Sequence, residues 1–456
     1  MESRNPATNQ LIQTWSEATE AEIASALQNA TRAETEWRRA SFSERGDVLR
    51  STAALLRQSS EELAQLMADE MGKPLPQGVA EAEKCAWVCE YYAENAERFL
   101  ADDPVNLDEG WKAAVVFRPI GCVLAVMPWN FPLWQVFRFA APALMAGNTA
   151  VLKHASNVCG CAVRIAEIFA EAGLPAGVFQ TLLVGSSRVP RLIADPVVRA
   201  VTLTGSTPAG SAVAAEAGRN LKKTVLELGG SDPYLVLADC DFEKTVETCA
   251  TARLINSGQS CIAAKRFIVE EPLYDAFVEA MTETMKAKRW GAPQEPDIAL
   301  GPLARHDLRD ELHEQVQKSL SQGARLTTGG EIPDDPGAYY PPTVLADVTP
   351  GMAAFDEETF GPVAAIVRAK DLEDAIALAN ASRFGLGAAI FTQDLDRGWA
   401  VAADRLEAGS CFVNAFVRSD PRLPFGGIKE SGYGRELSAF GIREFVNIKT
   451  VCAEVR

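Results

Sequence analysis

Histidine is almost missing from this chain of 456 residues: only His154, His306 and His313 occur, and none stands at metal-ligand spacing from a cysteine. That shortage speaks against a structural zinc site, which needs a tight Cys/His cluster, and against a hydrolase built on a cysteine–histidine pair. Basic residues are also short, with 44 Lys+Arg against 61 Asp+Glu and a net charge of -17. Such a field repels phosphate backbones and anionic lipid surfaces, so nucleic acid and membrane are not expected partners. An anionic small molecule is still possible, because one arginine or a helix N-terminus can reverse the sign within a pocket. The ten cysteines are scattered rather than framed in pairs, and Cys85/Cys89 and Cys159/Cys161 have no histidine beside them, which fits a reducing compartment. Met1 to Trp15 lacks the basic-then-apolar pattern of an export signal, and the expected location is the cytoplasm. One stretch is long and poor in charge, Gly121 to Leu152, but Pro128, Asn130, Pro132, Gln135, Arg138, Pro142 and Asn148 interrupt it too often for a membrane span.

The same interruptions divide that stretch into a strand over Val115–Met127, a helix over Leu133–Ala146 and a strand over Thr149–Lys153, a buried βαβ unit. Before it, Glu20 to about Leu100 reads as amphipathic helix punctuated by Pro74 and Pro76. After it, helices at 158–172 and 207–219 alternate with strands at 180–184, 200–204 and 224–228, the signature of a parallel sheet covered on both faces. A second alternating unit begins after Asp241, with helices at 242–255, 274–288 and 307–322 and a strand at 266–269, while the Pro/Asp/Gly-rich segment 331–342 predicts a surface loop. Length alone calls for two or three domains.

Two short stretches carry the chemistry. Glu227-Leu228-Gly229-Gly230 sets a carboxylate beside glycines that permit close approach, and Gly258-Gln259-Ser260-Cys261 sets a thiol among small polar residues. Alone, each has a plain alternative, a turn and a small buried hydrophobe. A third, Thr204-Gly205-Ser206-Thr207-Pro208-Ala209-Gly210, leaves a strand and opens a helix, with Ser206 or Thr207 as N-cap and Pro208 in the first turn. Its free N–H groups suit a phosphate, although it departs from the G-x-G-x-x-G fingerprint and is equally read as a capped helix.

In order along the chain stand Met127-Pro128-Trp129-Asn130-Phe131-Pro132, Lys153, the 205–210 turn, Glu227 to Gly230, Gly258 to Cys261, Glu358-Thr359-Phe360-Gly361-Pro362 and 424–435. Together these motifs resemble the aldehyde dehydrogenase superfamily over nearly the whole chain. The resemblance implies an α/β fold of three parts: a Rossmann-type dinucleotide-binding domain over 1–228, a catalytic α/β domain over 229–435, and a β oligomerisation arm made by a hairpin near 102–120 and the C-terminal segment 436–456. It implies that Cys261 attacks the aldehyde carbon, that the Asn130 amide and the backbone N–H of Cys261 hold the oxyanion, and that Glu227 activates water to release an acid. It assigns Trp129, Lys153, Gly205, Ser206, Glu358 and Phe360 to a nicotinamide dinucleotide, and it implies a homodimer or homotetramer.

Within the superfamily the likeness is to bacterial and cyanobacterial succinate semialdehyde dehydrogenases. It makes Arg138 and Ser419 candidates for the substrate carboxylate, with Arg422 as a substitute for an arginine that some relatives carry where this chain has Ile255. A salt bridge inside the helix layer is the plain alternative for Arg138. NAD-specific relatives carry a glutamate where this chain has Ser156; a hydroxyl cannot repel a 2'-phosphate, so NADP is expected over NAD. A neutral aldehyde substrate, or an inactive structural relative, remains the alternative reading, and retention of both Cys261 and Glu227 speaks against the second.

Overall fold

The computed structural model describes residues 1–455. Four helices, Glu20–Trp37, Phe42–Gln58, Ser60–Met71 and Leu75–Phe99, form the layer expected from the N-terminal periodicity. The first two open with reciprocal capping boxes, Thr19 with Glu22 and Ser41 with Glu44, so their starts were written in the local sequence.

The single strand read over 115–127 is two strands. Trp111–Pro119 and Cys122–Val126 part at Pro119-Ile120-Gly121, where Gly121 has a φ of 120° and Pro119 offers no N–H to a ladder. The first half pairs with Asp103–Val105 and Val446–Glu454 in a three-stranded sheet. The second half enters a six-stranded sheet in which Phe179–Thr181, Thr149–Lys153, Cys122–Val126, Val198–Thr204 and Lys223–Glu227 run parallel. Its far edge is Gly432–Tyr433, antiparallel to Lys223–Glu227, so the chain returns to this sheet just before position 435, where the sequence suggested the second domain ends.

A seven-stranded sheet takes the middle of the chain, parallel except for its edge Arg325–Thr328. At its centre Asp232–Val236 lies between Ala264–Glu270 and Gly387–Phe391. Only Leu228, Gly229, Gly230 and Ser231 separate the last parallel strand of the first sheet from the first strand of the second. Almost every residue of these central strands is buried, which explains why they read as apolar runs rather than as alternation. No helix among the described residues is long and apolar enough to cross a membrane.

Candidate active site

Cys261 leaves a run of unusual backbone. Helix Phe242–Leu254 stops, and Asn256, Ser257 and Gly258 follow with φ values of 55°, 55° and 76°. Left-handed conformation costs a serine free energy, so the surroundings must hold it in place. They do so through buried polar contacts. The Asn256 amide donates to the carbonyls of Asn130 (2.7 Å) and Gln259 (3.0 Å), and its backbone N–H donates to Gln77 Oε1 at 2.8 Å. Ser257 Oγ accepts from Gly301 N–H at 3.0 Å, and Arg253 donates to the Gly258 carbonyl at 2.6 Å. At Gly258 itself a Cβ would lie 2.3 Å from the carbonyl carbon and oxygen of Gly361. Lys265, fully buried, donates to the carbonyls of Ser260 (3.0 Å) and Cys261 (2.7 Å) and stands 3.4 Å from Glu358. Asn130 is tied to the same loop by its own amide, which donates to the Gln259 carbonyl at 3.1 Å. Burial pushes the Cys261 thiol up to about 12, with Arg138 and Lys265 opposing.

Glu227 ends the strand Lys223–Glu227 and is 2 % exposed, with neither carboxylate oxygen hydrogen-bonded. Burial, and then the carboxylate of Glu436, hold its pKa well above the usual range, against Arg138 and Arg435. It lies against Gly426, where a Cβ would come within 2.8 Å of Glu227 Oε1, so the 424–427 turn is a wall of this pocket.

A cleft of about 650 Å³ reaches Cys261 and Asn130 and is lined further along by Trp129, Gly205, Ser206, Gly229, Glu358 and Phe360. Trp129 and Phe360 meet edge to face with centroids 5.7 Å apart. Glu358 accepts from Gly230 N–H at 3.0 Å, and a Cβ on Gly229 would meet its Oε2 at 2.4 Å, while a Cβ on Gly230 would meet the Cys261 carbonyl oxygen at 2.8 Å. Ser206 is the N-cap of helix Thr207–Arg219 but makes no side-chain cap, so the first N–H groups of that helix are free. Lys153 is buried without a carboxylate partner, and burial lowers its pKa. Ser156 is exposed three residues beyond. An uncapped helix end and a buried ammonium without an anion are what a dinucleotide's phosphates and ribose require, so the residues present fit that group. Among the described residues no group of three or more His, Cys, Asp or Glu could hold a metal ion.

The residues expected at the substrate carboxylate are distributed differently. Arg138, 1 % exposed, is ion-paired with Glu436, donates to Thr204 Oγ1 at 3.3 Å and lies over the Phe425 ring at 4.6 Å. The guanidinium thus has a carboxylate of its own, because a charge buried so deeply needs a partner. Arg422 is not brought to the cleft: it is exposed and grips Asp420 with its Nε at 2.9 Å and Nη2 at 2.6 Å. Ser419 is buried and accepts from Lys84 Nζ at 2.7 Å. Lys84, Glu436 and Asn256 carried no motif signal, since Ser419, Arg138 and Asn130, with which they interact, lie far away in the sequence; Lys265 and Arg253 were missed although they bond carbonyls only four or five residues away.

The model of the aldehyde dehydrogenase family matches residues 1–451. The chain is 51 % identical to the succinate semialdehyde dehydrogenase [NAD(P)+] of Escherichia coli strain K12 over 98 % of this chain and 97 % of that one. It is 50 % identical to the succinate-semialdehyde dehydrogenase [NADP(+)] of Mycolicibacterium paratuberculosis, over 98 % and 95 %. Among solved structures, the succinic semialdehyde dehydrogenase of Streptococcus pyogenes in complex with NADP+ superposes with a TM-score of 0.96 at 39 % identity, covering 99 % of both chains. Family match, full-length identity and superposed fold agree, and the chain belongs to the aldehyde dehydrogenase family.

Proposed function

We propose that this protein oxidises succinic semialdehyde to succinate with NADP as the preferred hydride acceptor and NAD as a second. The observation that carries the oxidation is one continuous cleft, with Cys261 and Asn130 at one end and the free N–H groups after Ser206, Glu358 and Phe360 further along, so that thiol and dinucleotide share a single space. The substrate rests on the full-length relatives named for that aldehyde.

In this reading Cys261 Sγ bonds to the aldehyde carbon while the carbonyl oxygen takes a proton-poor form held by the Asn130 amide and the Cys261 N–H. Both groups already belong to one loop system, through Gln259, so the donor moves with the nucleophile. Burial raises the pKa of the Cys261 thiol, so it gives up its proton to solvent water as it attacks. Bound dinucleotide supplies the hydride acceptor. Glu227 then takes a proton from the water that cleaves the thioester. Its raised pKa makes this step favour alkaline pH. Lys153, Gly205, Ser206, Trp129, Glu358 and Phe360 hold the dinucleotide, and the exposed Ser156 hydroxyl leaves room for a 2'-phosphate. Steady-state titration of both cofactors across an aldehyde panel tests the proposal: NADP and succinic semialdehyde should give the highest kcat/KM, and a tenfold preference for NAD or for a neutral aldehyde would refute the corresponding half.

The protein acts in the cytoplasm as a homodimer or homotetramer. All ten cysteines are free, and the three-stranded sheet bears exposed Trp111, Ile448 and Val451, apolar side chains that a second copy would cover.

A further inference from the structure

The turn that carries Asn130 and the loop that carries Cys261 meet at the reacting end of the cleft, and one face of helix Leu75–Phe99 holds both from outside it. Gln77 and Glu81 stand one helical turn apart on that face. Gln77 Oε1 accepts from the Asn256 N–H at 2.8 Å, and its amide donates to the Ala299 carbonyl at 3.3 Å. Glu81 Oε1 accepts from the N–H groups of Leu133 and Trp134, both at 2.9 Å, which supplies the cap that helix Trp134–Met145 lacks. The other Glu81 oxygen is paired with Lys73, equally buried, whose ammonium lies 4.1 Å from the centre of the Phe131 ring, next to Asn130. The gripping turn is itself fixed: at Gly78, between the two side chains, a Cβ would come within 2.7 Å of Ala64 Cα, so it packs directly on the backbone of helix Ser60–Met71. Lys73, Gln77 and Glu81 do not line the cleft. A buried ion pair seldom stabilises a fold more than apolar side chains of the same volume would, so this one calls for a reason in geometry.

We propose that Gln77 and Glu81 are positioning residues that together fix the separation between the oxyanion donor Asn130 and the nucleophile Cys261, Glu81 by holding the turn from Asn130 to Trp134 and Gln77 by holding Asn256. The inference rests on the reading of Asn130 as the oxyanion donor. On the cleft side the same span is closed by the Asn256 amide, which donates to the Asn130 carbonyl at 2.7 Å, and by the Asn130 amide, which donates to the Gln259 carbonyl at 3.1 Å. An amide has two N–H donors, so the second is left for the oxyanion. A donor misplaced by about an ångström loses most of its effect on a charge that develops only in the transition state. Two side chains anchored on a packed helix hold that distance better than contacts between two loops.

The test uses a Lys73→Met background, in which Glu81→Gln and Glu81→Leu can be compared without leaving a buried cation unpaired. The two variants then differ in the oxygen that accepts from Leu133 and Trp134. Single-turnover hydride transfer at saturating NADP and succinic semialdehyde should be about tenfold or more slower with leucine than with glutamine. Iodoacetamide should alkylate Cys261 in the two at rates within about twofold of each other, because alkylation develops no oxyanion. Gln77→Leu in the same background should slow hydride transfer about fivefold or more, and adding it to Glu81→Leu should slow the reaction by less than the product of the separate factors, since releasing either end frees one span. Equal hydride transfer in the glutamine and leucine variants, alkylation that falls in step with hydride transfer, or factors that multiply in full overturns the inference. Asn130→Ala in the otherwise unaltered enzyme tests the reading beneath it: about a hundredfold loss of hydride transfer upholds Asn130 as the donor, and an unchanged rate overturns that reading and the inference together.

Discussion

Burial raises the pKa of both the thiol and the carboxylate at the centre of the site, and this shapes how single substitutions should behave. Cys261→Ala should reduce aldehyde oxidation by about a thousandfold or more, because no other nucleophile lines that end of the cleft. Glu227→Gln should keep a rapid burst of reduced cofactor in stopped-flow measurements and lose the steady state that follows; unchanged turnover would rule out the assigned role. The same substitution has a thermodynamic signature. The folded-state pKa of Glu227 is raised, so below the ordinary carboxylate range both folded and unfolded chains carry the proton and the residue is neutral to stability. As pH rises from that range toward the folded value, the unfolded chain releases its proton first, and wild type loses stability that glutamine retains. The melting temperature of Glu227→Gln, equal to that of wild type below the ordinary carboxylate range, should therefore exceed it by a growing margin as pH rises above that range. A margin that shrinks with pH would show Glu227 to be charged in the resting enzyme.

At the scale of elements, the nucleophile's loop depends on backbone geometry more than on side-chain chemistry. Gly258→Ala puts a methyl group against the Gly361 carbonyl in a conformation alanine resists, at a cost of about 2–4 kcal/mol, so both activity and melting temperature should fall. Gly229→Ala meets instead the far end of the Glu358 side chain, which can swing away. That variant should remain folded by circular dichroism and show a several-fold higher KM for NADP; normal cofactor affinity would detach Glu358 from the dinucleotide site. These elements also mark the limit of what could be read in advance. The helix after Ser206 and the glycine turns are local, and local rules found them; the capping boxes at Thr19 and Ser41 are equally local but were not read. The break at Pro119 had a local mark in Arg118-Pro119-Ile120-Gly121 that was read through as strand, and only pairing with Val446–Glu454 sends the first half elsewhere. Arg138 shows the same limit at the site: a motif can place a cation in the pocket, but whether it is free depends on Glu436, which no local pattern connects to it.

Across the whole molecule, the exposed apolar side chains of the three-stranded sheet predict a change of size. Ile448→Asp together with Val451→Asp, both exposed on the terminal strand, should lower the mass measured by sedimentation to that of a single chain if copies pair there. An unchanged mass would move the assembly surface elsewhere. The short crossing from Glu227 to Asp232 has a different consequence. Glu227 ends one sheet, Asp232 begins the other, Cys261 sits just before a strand of the second, and Gly432–Tyr433 comes back to clasp the first. Glu227 and Cys261 thus lie on opposite banks of a seam, joined by a four-residue bridge. A slight parting of the banks would separate Glu227 from Cys261 while both sheets kept their hydrogen bonds. In a urea titration, catalysis should accordingly disappear before ellipticity at 222 nm declines, making the enzyme's own turnover the most sensitive gauge of its integrity.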